Sequence, residues 1–478
     1  MPEGQGAGQA QSVAVPHRLP LIIHPDNRDA TTTKDAQLIN CYVEVTDQET
    51  KEYDIFKRPG TVLNSTVAAS QAGAGTWNWL GDVYTVFNNT LYKNGTSLGT
   101  VDNTGGLYRF GQTLGATPRL VLGNGVKGYT WDGTTLAAIT TGGASAFPTA
   151  FVKGWAYLDG TLYVADTANN IIGSNINDPT NWPSASANTI AAQVESDKNR
   201  FLWKQLVYVV DFKQWSTEFF YDAGNATGSP LGPVQGAKVN YGAVSGESVQ
   251  DIDGVLIWMA QGKDGNPIFM LLDNAKPTQI STKPIERLIL GVTNSNTIYS
   301  WQAQIGGHKF YVCTIVSLNI TLVYDLSDKR WHRWADSNGN YMPYVSSTTD
   351  SSGNIILQHA TNGNLYNFST TTYTDAGTVF NADIYTPNFD GNNRRSKQLN
   401  YLEIVGDKTN GSFFLVRHND NDYDPNSWTQ YRRVEMWTRR SLLMREGSFR
   451  RRAYHFRHGC NTPMRIASVD LQLDIGTL

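Results

Sequence analysis

Alternating apolar and polar positions along this chain predict short antiparallel strands. The clearest stretch, residues 299–334, contains four runs of aromatic and β-branched residues, separated by breaks at 306–307, 317–319 and 327–329. Each run has the usual strand length, and each break carries the Gly, Asn, Asp or Ser residues that tight turns require. This stretch therefore predicts a four-stranded meander, which needs neighbouring sheets to cover its faces and edges.

Related runs, each bounded by turn residues, occur at six other places. They start near Trp77, Pro118, Phe151, Lys204, Asp251 and Asn354. Together with the stretch at 299 they are spaced by about 46 residues on average, and a β-propeller blade occupies roughly 40 to 50 residues. The pattern predicts an all-β fold that contains a β-propeller of six to eight blades. A β-sandwich or a solenoid with similar turn spacing is the alternative.

Changes in the sequence pattern divide the chain into four parts. We expect a flexible arm at 1–15, N-terminal strands and a linker at 16–75, the propeller at 76–370, and a separate β domain at 371–478. The linker is predicted at 64–75, where small and polar residues dominate. The strands of the last part alternate cleanly, as in a sheet with one face in water.

Two long stretches, 177–200 and 224–241, interrupt the predicted propeller. Loops of this length inside a compact domain are usually functional, so we expect them to contact other proteins. Residues 187–204 show the best helical periodicity in the chain and are expected to form either a helix or a loop.

Composition and charge narrow the function classes. Only 17% of the 478 residues are charged and the net charge is −3, which does not favour nucleic acid or an anionic membrane as a partner. Residues 1–15 lack the features of a secretory signal, and no apolar run approaches the ~20 residues that cross a bilayer, so no membrane anchor is expected. Cys41, Cys313 and Cys460 have no C-x-x-C spacing and are expected to be reduced and buried.

Signals for catalysis are weak. A glycan hydrolase needs two carboxylates about 5 to 10 Å apart, and Asp166, Asp211 and Asp253 are the candidates from the predicted blades. No G-x-S-x-G or GxxxxGK[ST] motif is present. His455, His458 and Cys460 are close in sequence, but strand alternation separates His455 from the other two, so no metal site is expected. We predict that the chain is not an enzyme and holds no cofactor.

Several motifs, taken in order, carry a resemblance to a known family. They are LINCYVE at 38–44, KRPG at 57–60, LIWMAQGKDGNPIF at 256–269, ISTKPIER at 280–287, IGGHKFYV at 305–312, TLVYDLSDKRWHRW at 321–334 and REGSFRRRAYHFRH at 445–458. In this order they resemble the packaged-DNA stabilisation proteins of short-tailed bacteriophages. Each motif encodes a strand and a turn, so their joint order carries the resemblance.

The resemblance implies a structural component of the virion tail. It implies a tail hub or nozzle subunit that forms a six-fold ring of identical copies below the portal and its adaptor, extends the DNA channel, and helps to retain packaged DNA. Its implied partners are the portal-adaptor protein, a tail needle or plug protein, and a tail fibre or tailspike, while DNA passes without sequence-specific binding. The implied fold is a β-propeller with an antiparallel β platform built from the two terminal segments.

A basic stretch at 428–458 contains the candidate interface residues. It has nine arginines against two glutamates, a formal charge of +7: Arg432, Arg433, Arg439, Arg440, Arg445, Arg450, Arg451, Arg452 and Arg457. One interpretation is that they pair with carboxylates of a neighbouring subunit, where bidentate geometry fixes register. A second is a docking surface for an acidic adaptor protein. A lining for the DNA channel is the third, although basic walls would bind phosphates and slow ejection.

Two other classes of function stay open at this point. One is a propeller in the phage tail that binds or hydrolyses glycans. The other is a cytosolic scaffold propeller, which would predict regular repeats ending in Trp-Asp, and this chain has that pair once, at 131–132.

Overall fold

The structure is a computed structural model, and it describes residues 16–21, 36–47, 52–184, 188–192, 194–369 and 371–476. It confirms the all-β prediction, since the described residues contain one α-helix, Lys283–Ile289, and two 3-10 turns, Gly246–Ser248 and Val316–Leu318. None of the described helices has the length and hydropathy needed to span a bilayer. The chain divides into two compact units: Pro59–Phe380, here called the propeller unit, and Met1–Arg58 with Asn381–Leu478, here called the platform unit.

The described part of the propeller unit contains seven consecutive antiparallel sheets, here called blades 1 to 7. The strands of blades 1 to 3 are Gly73–Trp79, Asp82–Phe87, Thr90–Lys93, Thr96–Thr100; Arg109–Gln112, Leu120–Gly123, Gly128–Trp131, Leu136–Ala138; and Ala156–Leu158, Thr161–Ala165, Asn170–Gly173, Thr189–Ala191. The strands of blades 4 and 5 are Asn199–Gln205, Tyr208–Lys213, Thr217–Asp222, Leu231–Pro233; and Gly242–Ala243, Gln250–Ile252, Val255–Gln261, Pro267–Asp273, Lys276–Gln279. The strands of blades 6 and 7 are Ile298–Ile305, His308–Ile315, Ile320–Asp325, Arg330–Trp334; and Tyr344–Thr349, Ile355–His359, Asn364–Phe368, with Thr61–Thr66 as the fourth.

Two-residue turns join the first two strands of several blades. At Asp159-Gly160, Asp253-Gly254 and Gly306-Gly307 both residues have positive φ, which is the geometry of the type I′ turn. Glycine and aspartate tolerate that region, so these dipeptides fix the hairpin register. The meander predicted at 299–334 is confirmed, because blade 6 has four strands and its breaks lie at the predicted turns.

Neighbouring blades share their hydrophobic cores. Tyr84 and Val86 of blade 1 pack in one cluster with Leu120 and Leu122 of blade 2. The same arrangement recurs between other neighbours, in clusters that join blades 2 and 3, 3 and 4, 4 and 5, 5 and 6, and 7 and 1. Each sheet therefore covers the apolar face of the next, as the marginal stability of a single meander requires.

Hydrogen bonds between blade 7 and blade 1 close the ring of blades. The Gln358 amide is fully buried; its Oε1 accepts from Gly75 N at 2.7 Å and its Nε2 donates to Val86 O at 2.7 Å. Thr76 N donates to Ser346 Oγ at 3.1 Å. The outer strand of blade 7 comes from Thr61–Thr66, which pairs antiparallel with Asn364–Phe368. The blades therefore form a closed propeller.

The structure corrects several of the predictions in this unit. The linker predicted at 64–75 is wrong, because this stretch contains part of the strand that closes blade 7 and the start of blade 1. The predicted start of the last domain at 371 is also wrong, because residues 371–380 belong to the propeller unit. The stretches 177–200 and 224–241 are not only loops, since they carry the outer strands of blades 3 and 4. The described residues of 187–204 form neither a helix nor a plain loop, because the innermost strand of blade 4 starts at Asn199 and buries Phe201 and Leu202.

The described platform residues form two antiparallel sheets. The strands of the first are Pro16–Arg18, Cys41–Asp47, Glu52–Lys57, Lys397–Gly406, Ser441–Met444, Ser448–Phe449 and Arg465–Ile475, and those of the second include Gln37–Ile39, Ala382–Tyr385, Phe413–Asn419, Arg432–Glu435 and Ala453–His458. One core cluster joins Val43 and Leu402 of the first sheet with Phe414 and Phe456 of the second. N-terminal and C-terminal segments therefore share a single hydrophobic core. Residues 1–15, predicted as a flexible arm, lie outside the described residues.

Candidate interaction surface and the propeller centre

Six of the nine arginines have a carboxylate partner within the platform unit. The pairs are Arg432–Glu446, Arg433–Glu435, Arg440–Glu403, Arg451–Asp422, Arg452–Asp420 and Arg457–Asp383. Four of the partners (Glu403, Asp383, Asp420 and Asp422) lie outside the basic stretch itself. The charge of these six is balanced within the chain, and their expected contact with a neighbouring subunit stays a prediction.

Arg452 shows how fully some of these pairs are built into the fold. Its side chain is buried, and Nε and Nη2 donate to the two carboxylate oxygens of Asp420 at 2.7 and 2.8 Å. Nη1 donates to Glu446 O at 2.8 Å, and the guanidinium lies 4.4 Å from the centre of the Phe449 ring. A bidentate pair with a stacked ring holds one geometry, so Arg452 is a structural residue.

The Glu446 carboxylate contacts residues of two strands, His418 of Phe413–Asn419 and Arg432 of Arg432–Glu435. Burial would raise the pKa of its carboxyl, but His418 and Arg432 outweigh that effect and hold the pKa below the ordinary value. His418 Nδ1 lies 2.7 Å from Glu446 Oε2. The carboxylate therefore stays ionised and keeps Arg432 close to the end of Ser441–Met444.

Three arginines remain without such a partner. Arg439, Arg445 and Arg450 are exposed, and no carboxylate of the described residues lies within 4.0 Å of them. Trp437 and Met444, 56% and 51% exposed, lie in the same segment. Trp437 Nε1 donates to Glu435 Oε2 at 2.9 Å, which fixes the ring while its face stays open. We call these five residues the arginine surface.

The candidate carboxylates for hydrolysis do not form a site. Asp211 is fully buried inside blade 4 and cannot reach a substrate, whereas Asp253 lies in an exposed turn of blade 5, paired with Lys309. Asp166 accepts hydrogen bonds from Ala168 N and Asn170 N at 2.8 Å, as a turn residue does. These carboxylates have structural roles.

The His455, His458 and Cys460 side chains are buried in the platform unit and have separate partners. His455 Nε2 lies 2.8 Å from Asp383 Oδ1, and His458 Nε2 lies 3.0 Å from Ser412 Oγ. Burial lowers the pKa of His458 to about 3, so it is neutral at physiological pH. Each of the two histidines therefore has its own hydrogen-bond partner within the platform unit.

A charged cluster closes the centre of the propeller unit. Glu247 lies in the 3-10 turn that interrupts the innermost strand of blade 5, and its carboxylate bonds Lys153, which precedes blade 3. Its other oxygen lies 3.6 Å from Nε of Arg109 of blade 2, and Arg109 Nη2 donates to Glu247 O at 2.8 Å. Ser300 of blade 6 donates to the same carbonyl. Groups from four parts of the ring therefore meet at its centre.

The Arg109 side chain is largely but not fully buried, with 18% of its surface exposed. Burial lowers the pKa of its guanidinium, and Glu247 opposes that shift. No motif marks Arg109, Lys153 or Glu247 in the sequence, because each is a single charge within an otherwise ordinary strand or turn. Only the topology brings them together.

A comparison with family models now decides the relationship. The model described as "Bacteriophage P22 Gp10, beta-propeller", a phage stabilisation family, matches residues 19–373. The chain belongs to this family. The match covers most of the chain, which confirms the resemblance found in the sequence and makes this a structural phage protein with a β-propeller. No protein of curated function matches the sequence.

Solved structures are similar only in general architecture. A streptogramin B lyase structure has a TM-score of 0.40 at 9% identity, over 69% of this chain and 98% of that one. The extracellular domain of a putative hybrid two component system from B. thetaiotaomicron has a TM-score of 0.41 at 10% identity, over 81% and 47%. The Neurospora crassa Pan2 WD40 domain has a TM-score of 0.40 at 9% identity, over 66% and 96%.

Proposed function

We propose that this protein of the P22 Gp10 family is a tail hub or nozzle subunit of a short-tailed phage. Identical copies form a closed ring, six-fold by the family resemblance, below the portal and its adaptor. The ring extends the DNA channel and helps to retain packaged DNA in the virion. A tail needle or plug protein and a tail fibre or tailspike bind to the same assembly.

The observation that carries this proposal is the arginine surface. Arginine, tryptophan and methionine are enriched at protein interfaces, and Trp and Arg dominate the binding energy there. Arg439, Arg445 and Arg450 have no carboxylate partner in the part of the chain that the structure describes, so a partner that brings carboxylates would balance them. In the proposed ring that partner is the neighbouring copy, because a heterologous contact repeated around an axis closes a ring.

The closed centre of the propeller supports a channel that is formed between copies. Arg109, Lys153 and Glu247 bridge the middle of the blades, so a DNA duplex has no path through a single propeller. A channel for DNA then lies on the axis of the ring, outside any one set of blades. In this proposal each closed propeller acts as a rigid part of the channel wall.

The first test is a triple variant, Arg439→Ala, Arg445→Ala and Arg450→Ala. Each hot-spot arginine contributes about 2 kcal/mol to an interface, so we expect the concentration needed for ring formation to rise at least about 30-fold. Mass photometry of the purified protein over a dilution series measures this directly.

The matched control removes three exposed lysines of the propeller unit, Lys127, Lys276 and Lys329, and so changes the net charge equally. We expect the control to assemble like the wild type. If both variants assemble normally, but only the arginine variant fails to bind the portal-adaptor protein, the surface docks the adaptor and the subunit contact lies elsewhere. If the arginine variant assembles and binds the adaptor normally, the proposed role of the surface is wrong.

A further inference from the structure

The centre of the propeller unit contains a cavity that the ring assembly does not require. Its volume is about 430 Å³, within the roughly 300 to 1,000 Å³ of small-molecule sites. Innermost strands of six blades line it, and it lies beyond the Arg109–Glu247 cluster, which forms its floor. Along these strands Glu247 precedes Gln250 of the lining and Ser300 precedes Gln302, while the exposed Thr349 marks the open end.

Aromatic rings form one wall of the cavity. The indoles of Trp77 and Trp203 meet edge to face with ring centres 6.4 Å apart. Phe110 stacks on Trp77 at 6.4 Å, and Phe201 stacks on Trp203 at 5.7 Å. Flat apolar walls of this kind are typical of ligand pockets, and stacking of each indole on a phenylalanine limits its movement.

Two polar groups of the lining have no partner among the described residues. Trp77 Nε1 is buried and donates to nothing, whereas the matching Nε1 of Trp203 donates to Asp251 Oδ2 at 3.0 Å. The side-chain amide of Gln302 also makes no hydrogen bond there, since only its backbone bonds to Ser347. The Trp77 Nε1 atom has almost no accessible surface, so a ligand in the cavity meets the Trp77 ring and not its N–H. The Gln302 amide is the group of this pair that can bind a ligand.

The charges around the cavity are mixed. Arg109 forms the floor, and the carboxylates of Asp251 and Asp350 lie in the wall. Burial would raise the pKa of Asp350, but hydrogen bonds from Asn354 and from backbone N–H groups lower it overall, so this carboxylate is ionised. Arg109 is paired with Glu247, so the charge left in the wall is negative, and an anionic ligand meets a like charge here. A neutral ligand with many hydrogen-bonding groups does not.

We propose that this cavity binds a neutral sugar ring. One face of a pyranose is lined by C–H groups and packs on an indole, and its hydroxyls both donate and accept hydrogen bonds. In this site the Gln302 amide binds a hydroxyl oxygen, and the carboxylates of Asp251 and Asp350 accept hydrogen bonds from hydroxyl groups. This adds a carbohydrate-binding site to a subunit whose proposed role is structural.

The test measures binding of defined sugars to the purified full-length protein. The probes are methyl β-D-glucopyranoside, methyl β-D-galactopyranoside, maltose and lactose, followed by isothermal titration calorimetry and by saturation-transfer NMR. We expect at least one probe to bind to the wild type. Gln302→Ala removes the amide that binds the sugar, and we expect at least a five-fold weaker affinity. Gln398→Ala, the same change at an exposed glutamine of the platform unit, should leave the affinity unchanged.

A second variant protects the test against misfolding. If Gln302→Ala fails to fold, as judged by circular dichroism, Trp77→Leu, which removes an aromatic ring from the wall, should weaken binding of the same probe. The proposal is wrong if no probe binds, or if the folded Gln302→Ala and Gln398→Ala variants bind equally well. It is also wrong if choline or methyl glucuronide binds more tightly than every neutral probe, because the cavity would then select a charged ligand.

Discussion

At the scale of single residues, blade 4 contains a buried carboxyl group, that of Asp211, which forms no ion pair among the described residues. Asp211 is fully buried, and neither of its carboxyl oxygens has a hydrogen-bond partner among the described residues. Lys213, the nearest cation, lies 2.9 Å from Glu218 and 3.5 Å from Asp197 instead. Burial raises the pKa of Asp211 well above its ordinary value, with Glu218 and Asp197 adding to the effect.

We expect Asp211→Asn to stabilise the protein near pH 7. Because the folded-state pKa is raised, the stability contribution of this carboxyl is complete only below the unfolded value of about 3.9, and it falls as the pH rises above that. Asparagine cannot ionise, so the free energy of unfolding should increase by about 1–3 kcal/mol at pH 7, and the gain should shrink toward pH 4. Urea unfolding of both proteins at pH 4, 5.5 and 7 measures the difference.

The control for this change is Asp253→Asn, whose carboxylate is exposed and forms a surface ion pair. We expect little change at any of these pH values, because exposed pairs contribute little to stability. Equal stability of Asp211→Asn and wild type at pH 7 would contradict the prediction, because it would mean that burial of this carboxyl does not destabilise the folded protein.

At the scale of elements, the sequence predicts the outer strands of blades better than the innermost ones. Blade 6 was recognisable because all four of its strands carry apolar faces against neighbouring sheets. The run predicted to start at Pro118 begins with the second strand of blade 2, since the innermost strand Arg109–Gln112 faces the charged centre and loses its apolar alternation. The predicted start of blade 7, Asn354, likewise lies past its innermost strand Tyr344–Thr349, and that of blade 4, Lys204, lies near the end of Asn199–Gln205.

Ring closure also depends on a residue that no pattern marks. Gln358→Leu should destabilise the propeller unit by about 2–4 kcal/mol, because Gly75 N and Val86 O would both lose their partner inside the protein. Thermal unfolding followed by calorimetry measures the loss. Gln398→Leu is the matched control: Gln398 is exposed on a platform strand, and we expect no more than a small change. Similar melting temperatures for the two variants would mean that other contacts between blades 7 and 1 are sufficient for closure.

At the scale of the whole molecule, the family resemblance, the all-β class and the propeller followed from the sequence. The sequence did not reveal which of the nine arginines pair with carboxylates of the platform unit. Glu403, Asp420 and Asp383 are separated from Arg440, Arg452 and Arg457 by 37, 32 and 74 positions, so only the folded sheets reveal those pairs. The arginines that remain, Arg439, Arg445 and Arg450, are exposed in the same segment as Trp437 and Met444, and only the folded structure distinguishes them from the paired ones. The cavity was hidden for the same reason, because its lining comes from six blades.

The most direct test of the proposed function is a cryo-electron microscopy reconstruction of the tail of the intact virion. We expect a closed ring of copies of this chain between the portal-adaptor protein and the needle or plug, with the DNA channel on the ring axis and the arginine surface against the neighbouring copy. A reconstruction in which this chain lies in the capsid shell or in a fibre, or is absent from the virion, would contradict it.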